Sequence, residues 1–149
     1  MKKVLLLVAF ALIGLTANAQ LNVTTQVDKA PERVATIRNV NSWLFKGSSG
    51  YFISANTDNR FDKSLYFLLG EDAESAITTL YQMIDLIEKR VASTEVQQGD
   101  TKHTLMVMKV FGGYCLVIKQ AGNAGTTNFT PKELQKTIKK IKEAEGIEE

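Results

Sequence analysis

Few residues of this 149-residue chain are suited to nucleophilic or acid–base chemistry. The chain contains one histidine, His103, and one cysteine, Cys115. A Ser-His-Asp site would have to combine His103 with a serine that folding brings within hydrogen-bonding distance. The Gly-Ser-Ser-Gly segment at 47–50 lacks the Gly-x-Ser-x-Gly spacing of a nucleophile elbow. We therefore interpret His103 as an exposed polar residue and assign no catalytic residue.

Cys115 has the sequence environment of a structural cysteine. It lies between Tyr114 and Leu116 in an apolar segment, where a thiol packs as a small hydrophobic group. Burial raises the pKa of a thiol and so lowers its reactivity. A single cysteine excludes a disulfide within the chain, which leaves an intermolecular disulfide as the alternative to a structural role.

Polar side chains at Asn56, Asp58 and Asp62 recur at the even spacing of a calcium-binding loop. Such a loop requires oxygen ligands at positions 1, 3 and 5 and a glycine at position 6. When the count starts at Asn56, position 5 is Arg60 and position 6 is Phe61. Because both positions fail, we interpret the segment as a polar turn and expect neither a metal ion nor another cofactor.

Two further segments resemble anion or acid–base sites only superficially. Residues 122–125 (Gly-Asn-Ala-Gly) precede a predicted helix and would be able to cradle an anion, but they lack the lysine and the spacing of a phosphate-binding loop. We interpret them as a connection. Glu71, Asp72 and Glu74 crowd the start of another predicted helix, where capping and the helix dipole explain them.

Aromatic residues are concentrated in the first half of the chain, where they would be able to stack on a sugar or a nucleobase. Basic residues do not interleave with them as nucleic-acid binding requires. We therefore predict that most of these side chains belong to the hydrophobic core and that nucleic acid is not a partner. The aromatic residues are Trp43, Phe45, Tyr51, Phe52, Phe61, Tyr66 and Phe67.

Residues 1–19 have the three parts of a secretory signal peptide. Two lysines precede an apolar stretch from Val4 to Leu15, and small residues follow up to Ala19. The apolar stretch has 12 residues, whereas a helix needs about 20 to span a bilayer. We predict cleavage between Ala19 and Gln20 and an exported bacterial protein, periplasmic or secreted, with no stable membrane anchor.

The net charge and the length of the mature chain indicate its possible partners and its number of domains. The full sequence has 18 Lys and Arg against 16 Asp and Glu; loss of the two signal lysines leaves 16 of each and a net charge of zero. A neutral chain has no overall field to attract nucleic acid or an anionic membrane. Residues 20–149 have the length of one domain, with no linker and no internal repeat in the sequence.

The first half of the mature chain is predicted to form strands. Residues 21–27 alternate apolar and polar side chains. Residues 31–40 fit either a strand or a short helix, because Pro31 suits a first helical turn and the apolar residues that follow are three apart. Residues 43–45 and 51–53 are predicted to form a hairpin, and a further strand is predicted at 65–69.

The second half is predicted to contain two helices and a hairpin. Apolar residues at spacings of three and four predict a helix over 72–91. After a polar connection, the apolar segments 104–111 and 114–120 are predicted to form a hairpin across Gly112-Gly113, with Phe111 opposite Tyr114. Thr130-Pro131 followed by Glu133 is the capping box that begins the C-terminal helix.

Together these patterns predict an α+β fold. We expect one curved antiparallel sheet of about six or seven strands with two helices packed on it, in the order of five strands, a helix, two strands and a helix. Both faces of the 104–120 hairpin are apolar, so each must be covered. Helices and loops can cover both, or one face can be a ligand pocket or a contact to a protein partner or a second copy of the chain.

The absence of a complete catalytic set favours a non-enzymatic function. We expect a binding or protein-interaction module of the bacterial cell envelope. One alternative is a small periplasmic or secreted hydrolase that uses carboxylates or His103. The other is a carrier that holds a small apolar ligand between the sheet and the helices.

Overall fold

The computed structural model describes residues 29–38, 41–61, 64–110 and 112–148. Eight strands and two helices lie in these ranges. The predicted signal peptide and the predicted strand at 21–27 lie outside them. The strands are β1 (Glu32–Arg38), β2 (Ser42–Gly47), β3 (Gly50–Asn56), β4 (Ser64–Gly70), β5 (Thr94–Gln98), β6 (Thr101–Val110), β7 (Gly113–Gln120) and β8 (Thr126–Phe129), and the helices are α1 (Ala73–Glu88) and α2 (Pro131–Glu145).

The strands form two separate sheets, so the α+β class is confirmed and the prediction of one sheet of six or seven strands is wrong. Each sheet has four antiparallel strands in sequence order, β1-β2-β3-β4 and β5-β6-β7-β8. A helix follows each sheet. The described part of the chain therefore consists of two ββββα units, a structural repeat that the residue types did not reveal.

The differences in strand count come from two short polar strands. Residues 94–98 and 126–129 were predicted to be connections, but they form β5 and β8 at opposite edges of the second sheet. Each segment contains a single apolar residue, Val96 or Phe129, so neither shows the apolar alternation that predicts a strand. Residues 32–38 adopt the strand, not the helix, of the two alternatives.

The two predicted hairpins are present, and one has a shifted register. Gly47 pairs with Gly50 at the tip of the β2–β3 hairpin. In the β6–β7 hairpin Val110 pairs with Gly113 and Lys109 with Tyr114, two residues away from the predicted pairing of Tyr114. Because a shift of two preserves the alternation of side chains, each described residue of the hairpin lies on the face that the predicted pairing gives it.

Both helices begin at the residues that their caps predict. Asp72 accepts a hydrogen bond from the backbone N–H of Ser75, and Thr130 accepts one from that of Glu133. Helix α1 ends at Glu88, before the predicted residue 91, and α2 ends at Glu145, where Gly146 forms the C-cap in the left-handed conformation that favours glycine. Helix α1 packs against α2, β3, β4 and β7, and α2 packs against α1 and β1.

The core is formed by the inner faces of both sheets and the facing sides of the helices. Leu44, Ile53 and Leu65 contribute from the first sheet, and Leu116 and Ile118 from the second; all five are fully buried. Leu80 of α1 and the α2 residues Leu134, Ile138 and Ile141 complete it. Burial of this apolar surface is the main stabilising contribution to the fold.

Strand β4 is an edge strand whose main-chain groups are bonded by side chains of the second unit. Gln98 accepts a hydrogen bond from the N–H of Leu68 (3.0 Å) and donates one to its carbonyl (2.7 Å). The N–H of Tyr66 donates to Gln120 at 3.3 Å, and its carbonyl lies 2.9 Å from Nε2 of His103. These bonds replace a β ladder and join the two units, because an open edge needs partners for its polar groups.

The paired bonds of Gln98 predict a specific stability cost. Gln98→Ala leaves the N–H and carbonyl of Leu68 without these partners, and we expect it to lower the free energy of unfolding by about 1–3 kcal/mol. The matched control is Gln97→Ala, because Gln97 is exposed and its side-chain amide donates to the nearby Gly99 carbonyl; the cost of this substitution should stay within about 0.5 kcal/mol. Urea unfolding measures the loss in free energy of unfolding for each variant. Equal losses in the two variants would contradict the role of Gln98.

Candidate functional site

The main concave site is a cleft between the edge strands β4 and β5, with helix α1 along its side. Its volume is about 540 Å³. It lies within the roughly 300–1,000 Å³ that ligand pockets typically occupy. The residues that line it are Phe67, Leu68, Leu69, Gly70, Thr79, Gln82, Met83, Asp85, Leu86, Thr94, Val96, Gln97, Gln98 and Leu105.

The floor of the cleft is apolar. Phe67 and Leu69 of β4, Met83 of α1 and Leu105 of β6 are all buried, and Leu86 of α1 is partly buried against the same core. Met83 has a flexible, polarizable side chain that adapts to irregular partners. A ligand in this cleft would gain affinity mainly by removing apolar surface from water.

The rim of the cleft is polar and nearly uncharged. Thr79 and Gln82 lie on the α1 side, and Thr94 and Gln97 on the β5 side. Asp85 is the one ionisable residue among the described residues that line the cleft, and its carboxylate is paired with Lys89 at 2.7 Å. The rim can orient a polar end of a ligand, but this lining holds no second ionisable group for acid–base catalysis.

The close approach of α1 to β4 depends on Gly70. A Cβ added at this position would lie 2.6 Å from the backbone nitrogen of Ala76, a distance that requires the helix to move. The cap formed by Asp72 and Ser75 starts α1 immediately beyond this point. The Gln98 bonds to Leu68 fix the end of β5 against β4, so the two sides of the cleft have a defined separation.

His103 does not occupy the exposed position that we predicted; it is 1% exposed. Its ring packs edge-on against Phe67 with centroids 5.1 Å apart. A carbonyl can only accept a hydrogen bond, so Nε2 carries the proton and donates to Tyr66, while Nδ1 has no hydrogen-bond partner among the residues that the structure describes. In this part of the structure neither ring nitrogen contacts a carboxylate or hydroxyl, and the hydrolase alternative gains no support.

The other sequence candidates are used structurally where the structure describes them. Cys115 is buried as predicted, and burial raises the pKa of its thiol. Asp58 accepts hydrogen bonds from the N–H (2.7 Å) and hydroxyl (3.2 Å) of Thr126; the bond from the Thr126 N–H lowers the pKa of Asp58. Asp62 lies outside the described residues. Across the described ranges, no three His, Cys, Asp or Glu side chains are grouped to hold a metal ion.

The segment at 122–125 does not lead into a helix, because β8 intervenes before α2. Asn123 instead donates to the carbonyl of Ser64 at 3.1 Å, another bond between the units. Neither helix among the residues described is long and apolar enough to cross a membrane.

The prediction that most aromatic residues are in the core is also wrong. Tyr51 and Phe67 are buried, but Tyr66 and Phe61 are 55% and 78% exposed. Phe45 and Phe52 stack on the outer face of the first sheet, with ring centroids 5.4 Å apart.

A pocket between the sheet and the helices was one of the alternatives from the sequence, but the β5 side of this cleft was not predicted. Gln98 and Thr94 belong to β5, which was predicted to be a connection. The alternation of Thr94, Val96 and Gln98 with Glu95 and Gln97 was the available strand signal.

No protein-family model matches this chain, and no curated protein has a significantly similar sequence.

The opposite edges of the two sheets, β1 and β8, are also joined by side chains. Arg38 of β1 donates to the carbonyl of Asn128 at 3.1 Å and forms a bidentate pair with Glu133, with both N–O distances at 2.7 Å. Burial alone would raise the pKa of the Glu133 carboxyl, but the hydrogen bonds from Arg38 and Thr130 outweigh it and hold the pKa below its ordinary value. The pair connects β1 to the start of α2.

The lowered pKa of Glu133 gives a predicted pH dependence. Its ionised form contributes stability above pH about 4.3, the unfolded pKa, and this contribution is lost as pH falls through the lower folded pKa. We expect Arg38→Met to destabilise the protein at pH 7 by about 1–2 kcal/mol and to flatten the fall in stability between about pH 5 and 3. Unfolding in urea over this pH range measures both effects.

The control is Lys140→Met, which removes the exposed Lys140–Glu143 pair of α2. Exposed pairs contribute about 0–1 kcal/mol, so its cost at pH 7 should be smaller. An Arg38→Met protein with the parent's stability and pH profile would contradict the role of the Arg38–Glu133 pair.

Proposed function

We propose that this protein is a non-enzymatic binding module of the bacterial cell envelope that holds a small apolar or amphipathic molecule in the cleft between β4, α1 and β5. The proposal is based on the cleft, which combines a buried apolar floor with a polar rim in a volume of about 540 Å³. Such a combination is the usual form of a small-molecule site. The envelope location rests on the signal-like residues 1–19.

The composition of the cleft defines the ligand class. Phe67, Met83 and Leu105 offer no hydrogen-bonding side chains to a polar ligand, so the buried part of the ligand is hydrocarbon or aromatic. Thr79 and Gln82 at the rim can bond a hydroxyl, amide or carboxyl group at its outer end. A medium-chain fatty acid and a two-ring aromatic amine both have this shape.

Blocking the cleft tests the proposal. Thr79 lines it, whereas the adjacent Thr78 does not and is exposed on α1. We expect Thr79→Trp to fill the cleft and to weaken binding of N-phenyl-1-naphthylamine at least about tenfold, a loss of roughly 1.4 kcal/mol. The enhanced emission of this probe in apolar surroundings measures its binding, and decanoic acid should displace it.

Thr78→Trp is the matched control and should bind the probe as the parent does. Circular dichroism of both variants checks that the fold is retained. The probe should also raise the unfolding temperature of the parent, because a ligand that binds only the native state stabilises it. Failure of the parent to bind any apolar probe, or equal weakening in the two variants, would contradict the proposal.

A second candidate is a contact between two copies of the chain through the hairpin 104–120. Met108 and Val110 are 52% and 46% exposed on the outer face of the second sheet, next to Met106 and Val117. Large exposed apolar side chains in one stripe are typical of interaction surfaces. A second copy is the occupant we propose, because an isologous contact needs only this one surface.

The dimer is tested by charge insertion. Met108→Lys should dissociate it without unfolding the protein, since a solvent-exposed position tolerates lysine but an apolar contact does not. Sedimentation equilibrium over a range of protein concentrations gives the mass, and Lys109→Met is a neighbouring control. A parent protein that stays monomeric at all concentrations would contradict this candidate.

A further inference from the structure

We propose that a second, polar pocket between the two sheets binds a small uncharged molecule rich in hydroxyl groups, such as a polyol or a monosaccharide. The pocket lies on the β1–β8 side of the protein, away from the cleft, and has a volume of about 190 Å³. All its lining residues are polar: Arg38, Asn41, Ser42, Asn56, Thr57, Asp58, Thr126, Thr127 and Asn128.

Two sets of bonds between the sheets hold the pocket open. On one side the Asp58 N–H donates to the carbonyl of Thr126 (3.1 Å), and the Asp58 carboxylate accepts from the N–H of Thr126. On the other side Arg38 bonds the carbonyl of Asn128. These bonds fix the segments that border the pocket on its two sides, so the pocket is preorganised for a ligand.

Gly125 adds a further constraint at this side. A Cβ at this position would lie 2.1 Å from Oγ1 of Thr57 and 2.9 Å from Cβ of Asn59. The loop before β8 therefore packs directly on the loop after β3. A side chain at residue 125 would separate the two loops that border the pocket.

Ser42 is the observation that points to a ligand. Ser42 lines the pocket and is 2% exposed, and its hydroxyl has no hydrogen-bond partner among the described residues. Buried hydroxyl groups in proteins are nearly always hydrogen-bonded, because burying an unsatisfied hydroxyl lowers the stability of the fold. The hydroxyl of a bound molecule in the pocket can both donate to and accept from Ser42.

The charges around the pocket favour an uncharged ligand. The guanidinium of Arg38 is balanced by Glu133, and the carboxylate of Asp58 already accepts two bonds from Thr126. Asn41, Ser42 and Thr127 also line the pocket, and their amide and hydroxyl groups include both donors and acceptors. Hydroxyl groups of a polyol have the same dual character, whereas a phosphate or an ammonium group has only one.

Water is the competing occupant, because the pocket has room for about six molecules at roughly 30 Å³ each. Amide NMR spectra of the full mature chain distinguish a bound polyol or monosaccharide from water in the pocket. We expect at least one of glycerol, myo-inositol, glucose and N-acetylglucosamine to cause saturable shifts at Asn41, Ser42 and Thr127. If none of these four compounds causes saturable shifts at tens of millimolar, only water occupies the pocket and the proposal is overturned.

Variants of Ser42 connect binding to its hydroxyl. Ser42→Ala should weaken the affinity for the active compound roughly fivefold, as expected for one lost hydrogen bond, and Ser42→Val should abolish binding by filling the pocket. The control is Ser54→Ala in β3, a buried serine that does not line the pocket. Equal affinity of Ser42→Ala and Ser54→Ala for the compound would overturn the proposal. Binding of N-phenyl-1-naphthylamine in the cleft should be unchanged in every variant.

Discussion

The structure depends on how the open edge of β4 is satisfied. A strand edge inside a protein needs partners for its N–H and carbonyl groups, and a continuous sheet would supply them from a fifth strand. Here the second unit supplies Gln98, His103 and Gln120 instead. The same solution recurs on the other side, where Arg38 bonds the carbonyl of Asn128 in β8. No β ladder joins the two described ββββα units; side-chain hydrogen bonds, the backbone bond from Asp58 to Thr126 and the shared core join them.

Both candidate sites are consequences of this joining. Side chains hold edge strands farther apart than a ladder would, because neighbouring paired strands lie only about 4.8 Å apart. The space between β4 and β5 becomes the apolar cleft, and the space between β1 and β8 becomes the polar pocket. Their chemistry differs because inner-face residues such as Phe67 and Leu105 reach the first, whereas strand ends and loops border the second. One architectural constraint thus accounts for two sites of opposite polarity.

The sequence allowed prediction of the parts with strong local signals. The apolar periodicity located α1 and the capping box at Thr130 located α2, and the two faces of the β6–β7 hairpin followed from its alternation. The edge strands β5 and β8 were missed because they are short and polar, and their strand state depends on pairing with β6 and β7. His103 was placed wrongly because its burial depends on the carbonyl of Tyr66, 37 residues away in sequence. The cleft was beyond local reasoning because it is formed by four separate elements.

Binding of the apolar part of a small ligand in the cleft can be tested by NMR of the complex with decanoic acid. Intermolecular nuclear Overhauser effects between the alkyl chain and methyl-labelled protein identify the contacted side chains. We expect contacts to Met83, Leu86 and Leu105, which line the cleft. Contacts to Met106 and Met108 of the hairpin in their place, or no contacts in a protein saturated with ligand, would contradict it.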